Sequence, residues 1–214
     1  MNTYIERSML SRDETAALRD ALQSLRAMGR FKRVPQGVYQ ADKSVIDKCE
    51  SLERACKLIK SRLMELEPGA DLKLGKIWHV ETTSHKSDPG KLPYLLHFDK
   101  ARYLKAMIYL GNVGDGDGAI CVGSTPPEAF EARRQRLPRD YKDRQLNKIE
   151  LDDAGLVSEL TGRAGDCVYF DTNTPHRAGV LREGHMREVL RFDFVHPNDE
   201  SILKRVGSKF LSGI

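Results

Sequence analysis

The chain has 214 residues, of which 40% are apolar and 31% charged, with a net charge of +4. That suffices for one domain with a core and argues against a disordered chain. No apolar run approaches the roughly 20 residues that span a bilayer. The first residues carry acids and no apolar signal segment, so a cytoplasmic location is expected.

The mildly basic balance comes without a recognisable nucleic-acid module. A positive site for an anionic small molecule gives the same balance. Cys49, Cys56, Cys121 and Cys167 include no C-x2-C spacing, so a zinc site is not indicated and the thiols read as small core hydrophobes.

In chain order, "LSRDETAALRDALQSLRAMG" predicts a helix. Ser11 is its N-cap, Glu14 completes a capping box, and Leu18, Leu22 and Leu25 form the apolar stripe. "DKSVIDKCESLERACKLIKSRLMELEPG" predicts a second helix, with Ile46, Cys49, Leu52, Cys56, Ile59, Leu63 and Leu66 three to four apart. Pro68 and Gly69 stop it. Both stripes are expected to pack on a sheet.

From residue 71 the pattern becomes that of strands. Apolar runs from "LKLGKIWHVETT" to "REVLRFDFVH" are punctuated by Gly and Asp, including a tight turn at Gly165-Asp166. About eight short strands predict a sandwich or barrel, with two N-terminal helices (1–70) on one face. The segment 125–148 interrupts the strands. From 126 to 148 it holds seven basic residues and four acids. It reads as a solvated insertion or as a lid over a site for an acidic substrate. A C-terminal helix is expected over 197–214.

The strand-like run "PYLLHFDKARYLK" contains His97 and Asp99. Side chains alternate along a strand, so the two point the same way. A buried imidazole and carboxylate are costly without a partner. A site of two His and one carboxylate needs another His and leaves three positions open. His85 and His185 lie in turns, His196 precedes Pro197, and His79 is on the first strand, which leaves His176 in "GDCVYFDTNTPH". Asp171, Thr172 and Asn173 could orient that His through hydrogen bonds. His79 and Glu81 form a second H-x-acid pair and remain an alternative. Arg187 opens the last strand and can fork onto a carboxylate. Arg191 faces the same side, with an ion pair to Asp193 or Glu188 as its structural reading.

"HFD" (97–99), "LKAMIYLGNVGDGDGAICVGST" (104–125), "GDCVYFDTNTPH" (165–176) and "MREVLRF" (186–192) occur in an order that resembles the phytanoyl-CoA dioxygenase-like Fe(II)/2-oxoglutarate oxygenases, over roughly 72–196. The resemblance implies a mainly β fold with flanking helices, a double-stranded β-helix (a cupin-like jelly roll). It implies a single oxygenase domain over 1–214, with its core at 71–196.

His97, Asp99 and His176 would then be iron ligands, and Arg187 the clamp on the co-substrate's distal carboxylate. Fe(II), 2-oxoglutarate and O2 would be the cofactors. The reaction would release succinate and CO2 and hydroxylate an unactivated C–H of a small metabolite or natural-product intermediate. Asp99 favours hydroxylation, since related halogenases have a small residue there.

Thr125 stands where the family usually has His, Ala119 where Pro is common, and Ala178 where a hydroxyl residue is frequent. Thr82, Tyr94 and Lys105 are the polar groups placed to make up the missing co-substrate contact. A cupin-like binding module without turnover, or an oxygenase acting on nucleic acid, are the competing readings. The basic insertion has only Phe130 and Tyr141 as aromatics, and no series of them interleaved with its basic residues as single-strand binders use.

Overall fold

The computed structural model describes residues 1–34, 38–84, 89–138 and 144–195. The expected helix over 197–214, together with His85 and His196, lies outside them. Among the described residues, no helix is long and apolar enough to cross a membrane.

Helix α1 (Arg12–Ala27) starts as its sequence dictates. Ser11 Oγ accepts the Glu14 N–H at 3.2 Å, and Glu14 Oε2 accepts the Ser11 N–H at 2.8 Å. Two backbone donors that helix geometry orphans are thereby satisfied.

The second predicted helix divides. A 3-10 turn covers Lys43–Lys48, Cys49 is extended (φ −153°, ψ 112°), and α2 runs Glu50–Leu66. The cause is local: Asp42 Oδ1 accepts the Ser44 N–H at 2.8 Å and caps a separate turn. The Cys49 N–H then closes on Ile46 O at 3.1 Å, an i→i−3 bond.

The described strands are β1 (Tyr4–Glu6), β2 (Lys32–Val34), β3 (Val38–Ala41), β4 (Lys73–Thr83) and β5 (Tyr103–Tyr109), then β6 (Cys121–Gly123), β7 (Val157–Glu159), β8 (Cys167–Asp171), β9 (His176–Arg177) and β10 (Met186–Val195). They form a large antiparallel sheet, β1-β8-β5-β10-β4-β3-β2, and a small one, β7-β6-β9. This is the double-stranded β-helix, or jelly roll.

Strands β1 to β3 have no counterpart among the predicted strands. They are three or four residues long and lie toward the edges of the large sheet, so periodicity cannot reveal them. Conversely, residues 93–99 are not a regular strand. Their backbone partners come from several segments: Asn147, Ile149, Thr172, His176 and Ala178.

Strand alternation divides the large sheet into two faces. Ile77, Ala106, Ile108, Leu190 and Phe192 pack against Leu18 and Leu22 of α1 and Ile59 and Leu63 of α2. Each such fully buried Leu, Ile or Phe side chain contributes ~1.5–3 kcal/mol. On the opposite face Met107, Val168 and Val189 share a buried cluster with Ile120 and Val122, so the small sheet covers that side.

Gly165 makes the turn into β8 at φ +90°, where a Cβ would lie 2.2 Å from Leu10 O. A left-handed backbone and a close approach both require glycine there. All four cysteines are free, with Cys121 and Cys167 buried.

Candidate metal centre

His97 and His176 face each other in an antiparallel bridge. The His97 N–H donates to His176 O at 3.0 Å and the His176 N–H to His97 O at 2.9 Å. His97 Nδ1 lies 2.7 Å from Leu95 O, and His176 Nδ1 lies 2.8 Å from Thr174 O. A carbonyl only accepts, so each Nδ1 carries the proton and each Nε2 presents a lone pair. Both Nε2 atoms lie 3.7 Å from Asp99 Oδ1.

The ligand atoms of His97, Asp99 and His176 all fall within 4.8 Å of one another. Burial pushes the His176 imidazole down to about 4, helped by the neighbouring His97, so it is neutral at pH 7. Burial alone would raise the Asp99 carboxyl. The Lys105 ammonium, 2.8 Å from Asp99 Oδ2, outweighs it and holds Asp99 well below the usual range. Two imidazole nitrogens and one carboxylate oxygen converging this way suit a divalent first-row metal.

The corner residues act differently from the expectation. Thr174 O, not a side chain of residues 171–173, fixes His176. Asp171 instead takes the buried Arg102, with Nη2 at 2.6 Å and Nε at 2.9 Å from Oδ2. The Thr172 hydroxyl accepts the Tyr103 N–H at 2.8 Å, and Thr172 O accepts the Asp99 N–H at 2.9 Å. The Asn173 amide donates to Pro127 O. These groups hold the turn, and the turn holds the imidazole.

The three residues open onto a cavity of about 570 Å³, whose wall also carries Thr82, Tyr94, Lys105 and Arg187. Arg187 and Thr82 are cross-strand partners on β10 and β4. Arg187 is 7% exposed; its Nη1 donates to Gly118 O and its Nε has no partner. It has no carboxylate partner among the described residues. Burial lowers its pKa, so a buried cation stands here without an anion. Burial likewise raises the adjacent Tyr109 phenol to about 12, keeping it neutral. Lys105 Nζ is occupied, 2.8 Å from Asp99 Oδ2.

The alternative pair faces the other way. His79 and Glu81 lie on the helix side of β4, where His79 Nε2 is 2.7 Å from Glu188 Oε1. Their ligand atoms also cluster within 4.8 Å, but Arg19 pairs with Glu188 at 2.5 Å and Arg26 with Glu81. Two guanidiniums already neutralise these two acids, and the group makes an ion-pair network under α1.

The insertion is not a detached solvated segment where it is described. Arg134 is buried against Glu131 at 2.6 Å, and Arg133 donates to Lys148 O at 2.7 Å. Phe130 and Ile149 pack with Leu96 and Phe98. Residues 139–143 lie outside the described residues. Asn147, which sequence reasoning missed, lines the cavity. Its amide donates to Phe98 O at 2.5 Å and its Oδ1 is buried without a partner. Nothing in the polar run around it distinguishes it beforehand.

No protein-family profile matches the chain. A 78-residue stretch is 30% identical to small ribosomal subunit protein uS5 of Verminephrobacter eiseniae, over 36% of this chain and 45% of that protein. The chain thus spans under half the length of that curated relative. Among solved structures, it is similar to the non-haem alpha-ketoglutarate-dependent carbocyclase SnoK from nogalamycin biosynthesis, with a TM-score of 0.63 and 18% identity over 95% of this chain and 86% of that one. The epimerase SnoN in complex with Fe3+, alpha-ketoglutarate and nogalamycin RO gives 0.61 and 14% over 91% and 79%. HygX from Streptomyces hygroscopicus with nickel and 2-oxoglutarate bound gives 0.58 and 16% over 92% and 83%.

Proposed function

We propose that the chain is a single-domain non-haem Fe(II)/2-oxoglutarate-dependent dioxygenase that hydroxylates an unactivated C–H of a small natural-product-like molecule. The observation that carries this reading is a pairing. Two imidazole lone pairs and a carboxylate oxygen converge on one point, and a buried arginine without an anion stands on the same cavity wall. The fold's neighbours supply the cofactor pair, since SnoN and HygX were solved with a metal and the keto acid.

In this reading His97, Asp99 and His176 hold the metal, and the donor set fits Fe(II). The bound metal with 2-oxoglutarate and O2 supplies the oxidant, at the expense of decarboxylation to succinate and CO2. The chain's own groups bind, orient and exclude water. Leu95 O and Thr174 O keep both imidazoles in the tautomer that offers Nε2. Arg187 receives the distal carboxylate of the co-substrate, gaining the counter-charge it lacks, with Thr82 and Tyr94 beside it. Lys105 acts on the metal side, through Asp99.

Hydroxylation is the outcome we favour, because Asp99 fills the carboxylate position. The second reading is ring closure or epimerisation, which the names of SnoK and SnoN raise. A nucleic-acid substrate is disfavoured, because Arg133 and Arg134 of the basic segment are engaged internally.

Anaerobic addition of Fe(II) and 2-oxoglutarate tests the assignment. A visible charge-transfer band is expected in the wild type, absent in His176→Ala and weakened in Arg187→Ala. Iron binding without the band would sink the 2-oxoglutarate reading.

A further inference from the structure

Arg187 has a second arginine four residues beyond it on the same face of β10, about 13 Å along the strand at ~3.3 Å per residue. Arg191 also lines the cavity, and its side chain is 26% exposed. Its guanidinium lies 4.7 Å from the centre of the Trp78 ring, its cross-strand partner on β4. Nε lies 3.0 Å from Asp193 Oδ1, and Nη2 donates to Asp193 Oδ2 at 3.1 Å. The Trp78 indole N–H donates to the same Oδ2 at 2.6 Å. Trp78 and Asp193 thus fix the guanidinium from its face and one edge. Nη1 makes no hydrogen bond among the described residues.

Between the two arginines the wall is aliphatic. Val38, Val80 and Val189 form one cross-strand row and all line the cavity. Asp99 is the sole carboxylate among the described lining residues, and Lys105 already pairs with it. If Arg187 serves the co-substrate, as the proposed function has it, Arg191 is the guanidinium left for the substrate.

We infer that Arg191, backed by Trp78 and Asp193, is the specificity subsite. The substrate it selects is a monocarboxylate with an apolar body, whose hydrocarbon lies on Val38, Val80 and Val189. One open guanidinium edge suits a single carboxylate. A dianionic phosphate would bring a second charge that this guanidinium, already paired with Asp193, does not match. The aliphatic row offers a sugar-like polyol no hydrogen-bond partner.

Trp78 is the only tryptophan in the chain, so its emission reports this subsite without metal or turnover. The experiment titrates metal-free protein with 4-phenylbutanoate, cinnamate and octanoate, each against its primary amide. At least one acid is expected to shift Trp78 emission saturably and to bind about tenfold or more tightly than its amide, as one charge-assisted contact allows. Arg191→Gln should bring that acid to the affinity of its amide, and Arg187→Met should leave the preference intact.

The inference is overturned if no acid outbinds its amide, if the preference survives Arg191→Gln, or if Arg187→Met abolishes it. Failure of the co-substrate reading shows elsewhere, as a missing charge-transfer band with iron and 2-oxoglutarate and no probe present.

Discussion

His97 and His176 exchange both of their backbone hydrogen bonds, at 3.0 and 2.9 Å, which sets their imidazole centroids 4.5 Å apart. The pairing of the chain itself thus brings the two rings together. Metal should then stabilise the fold measurably. With Ni(II) at about 100 times its Kd, mass action adds ~2.7 kcal/mol. Thermal melts should show a higher Tm with Ni(II) for the wild type and no shift for His97→Ala or Asp99→Ala. A shift of wild-type size in either variant would place the metal elsewhere.

Lys105 holds one oxygen of Asp99 and leaves Oδ1 to the histidines. Loss of groups that orient metal ligands costs about 10–100-fold in affinity. Lys105→Met should weaken Co(II) binding by that order in a chelator competition, and Lys105→Arg should recover much of it. Unchanged affinity in Lys105→Met would show that the ammonium serves something other than Asp99.

Arg187 predicts a trade between stability and binding. A buried charge without a counter-ion is unfavourable, and apolar replacement of buried charges is neutral or stabilising by about 1–4 kcal/mol. Arg187→Met should therefore unfold at equal or higher urea concentration than wild type, and should lose 2-oxoglutarate binding. A strongly destabilised variant would mean that the Gly118 carbonyl contact outweighs the buried charge.

Asp166 anchors the turn into β8 and carries a pH dependence. Its carboxylate accepts the Ser8 N–H at 2.8 Å and the Arg163 N–H at 2.9 Å, and pairs with Arg7 at 2.7 Å. Burial raises its pKa, but these donors, led by Ser8 and Arg163, prevail and depress it. A depressed folded pKa contributes stability above the unfolded value of about 3.9. That contribution is lost as pH falls below it and through the folded value. Asp166→Ala should cost about 2–3 kcal/mol at pH 7. The gap to wild type should narrow in denaturation curves taken from pH 5 to pH 2.

Much of the frame was legible where the determining physics is local. The Ser11–Glu14 capping box and the stripe Leu18, Leu22, Leu25 follow from residues a few positions apart. The strand after Gly165-Asp166 follows from a turn that only glycine can make. His176 could be singled out because the other histidines sat in less suitable contexts. The convergence of His97 and Asp99 followed from alternation, although the bridge that sets it is not a regular strand.

What remained hidden depends on distant partners. The Thr174 carbonyl on His176 is backbone chemistry that any residue type could supply. Asn147 acquires its place from Phe98, and the acids around His79 acquire their meaning from Arg19 and Arg26 on α1. Lys105 looked like a co-substrate contact because the reach of its ammonium to Asp99 depends on the turn between them.

The Arg102 network bears on how this scaffold can be re-engineered. Arg102 grips Asp171 at one end of the ligand turn, and its Nη1 reaches Glu131 in the 125–148 insertion at 3.2 Å. Asn173 also donates to Glu131, at 3.3 Å. The insertion and the turn before His176 therefore share one set of charges. Loop exchange, the usual route to a new substrate range, would here unload Arg102 and release the turn that presents His176. A transplanted segment would have to bring its own carboxylate to the Glu131 position, which makes the insertion part of the chassis and not an interchangeable cover.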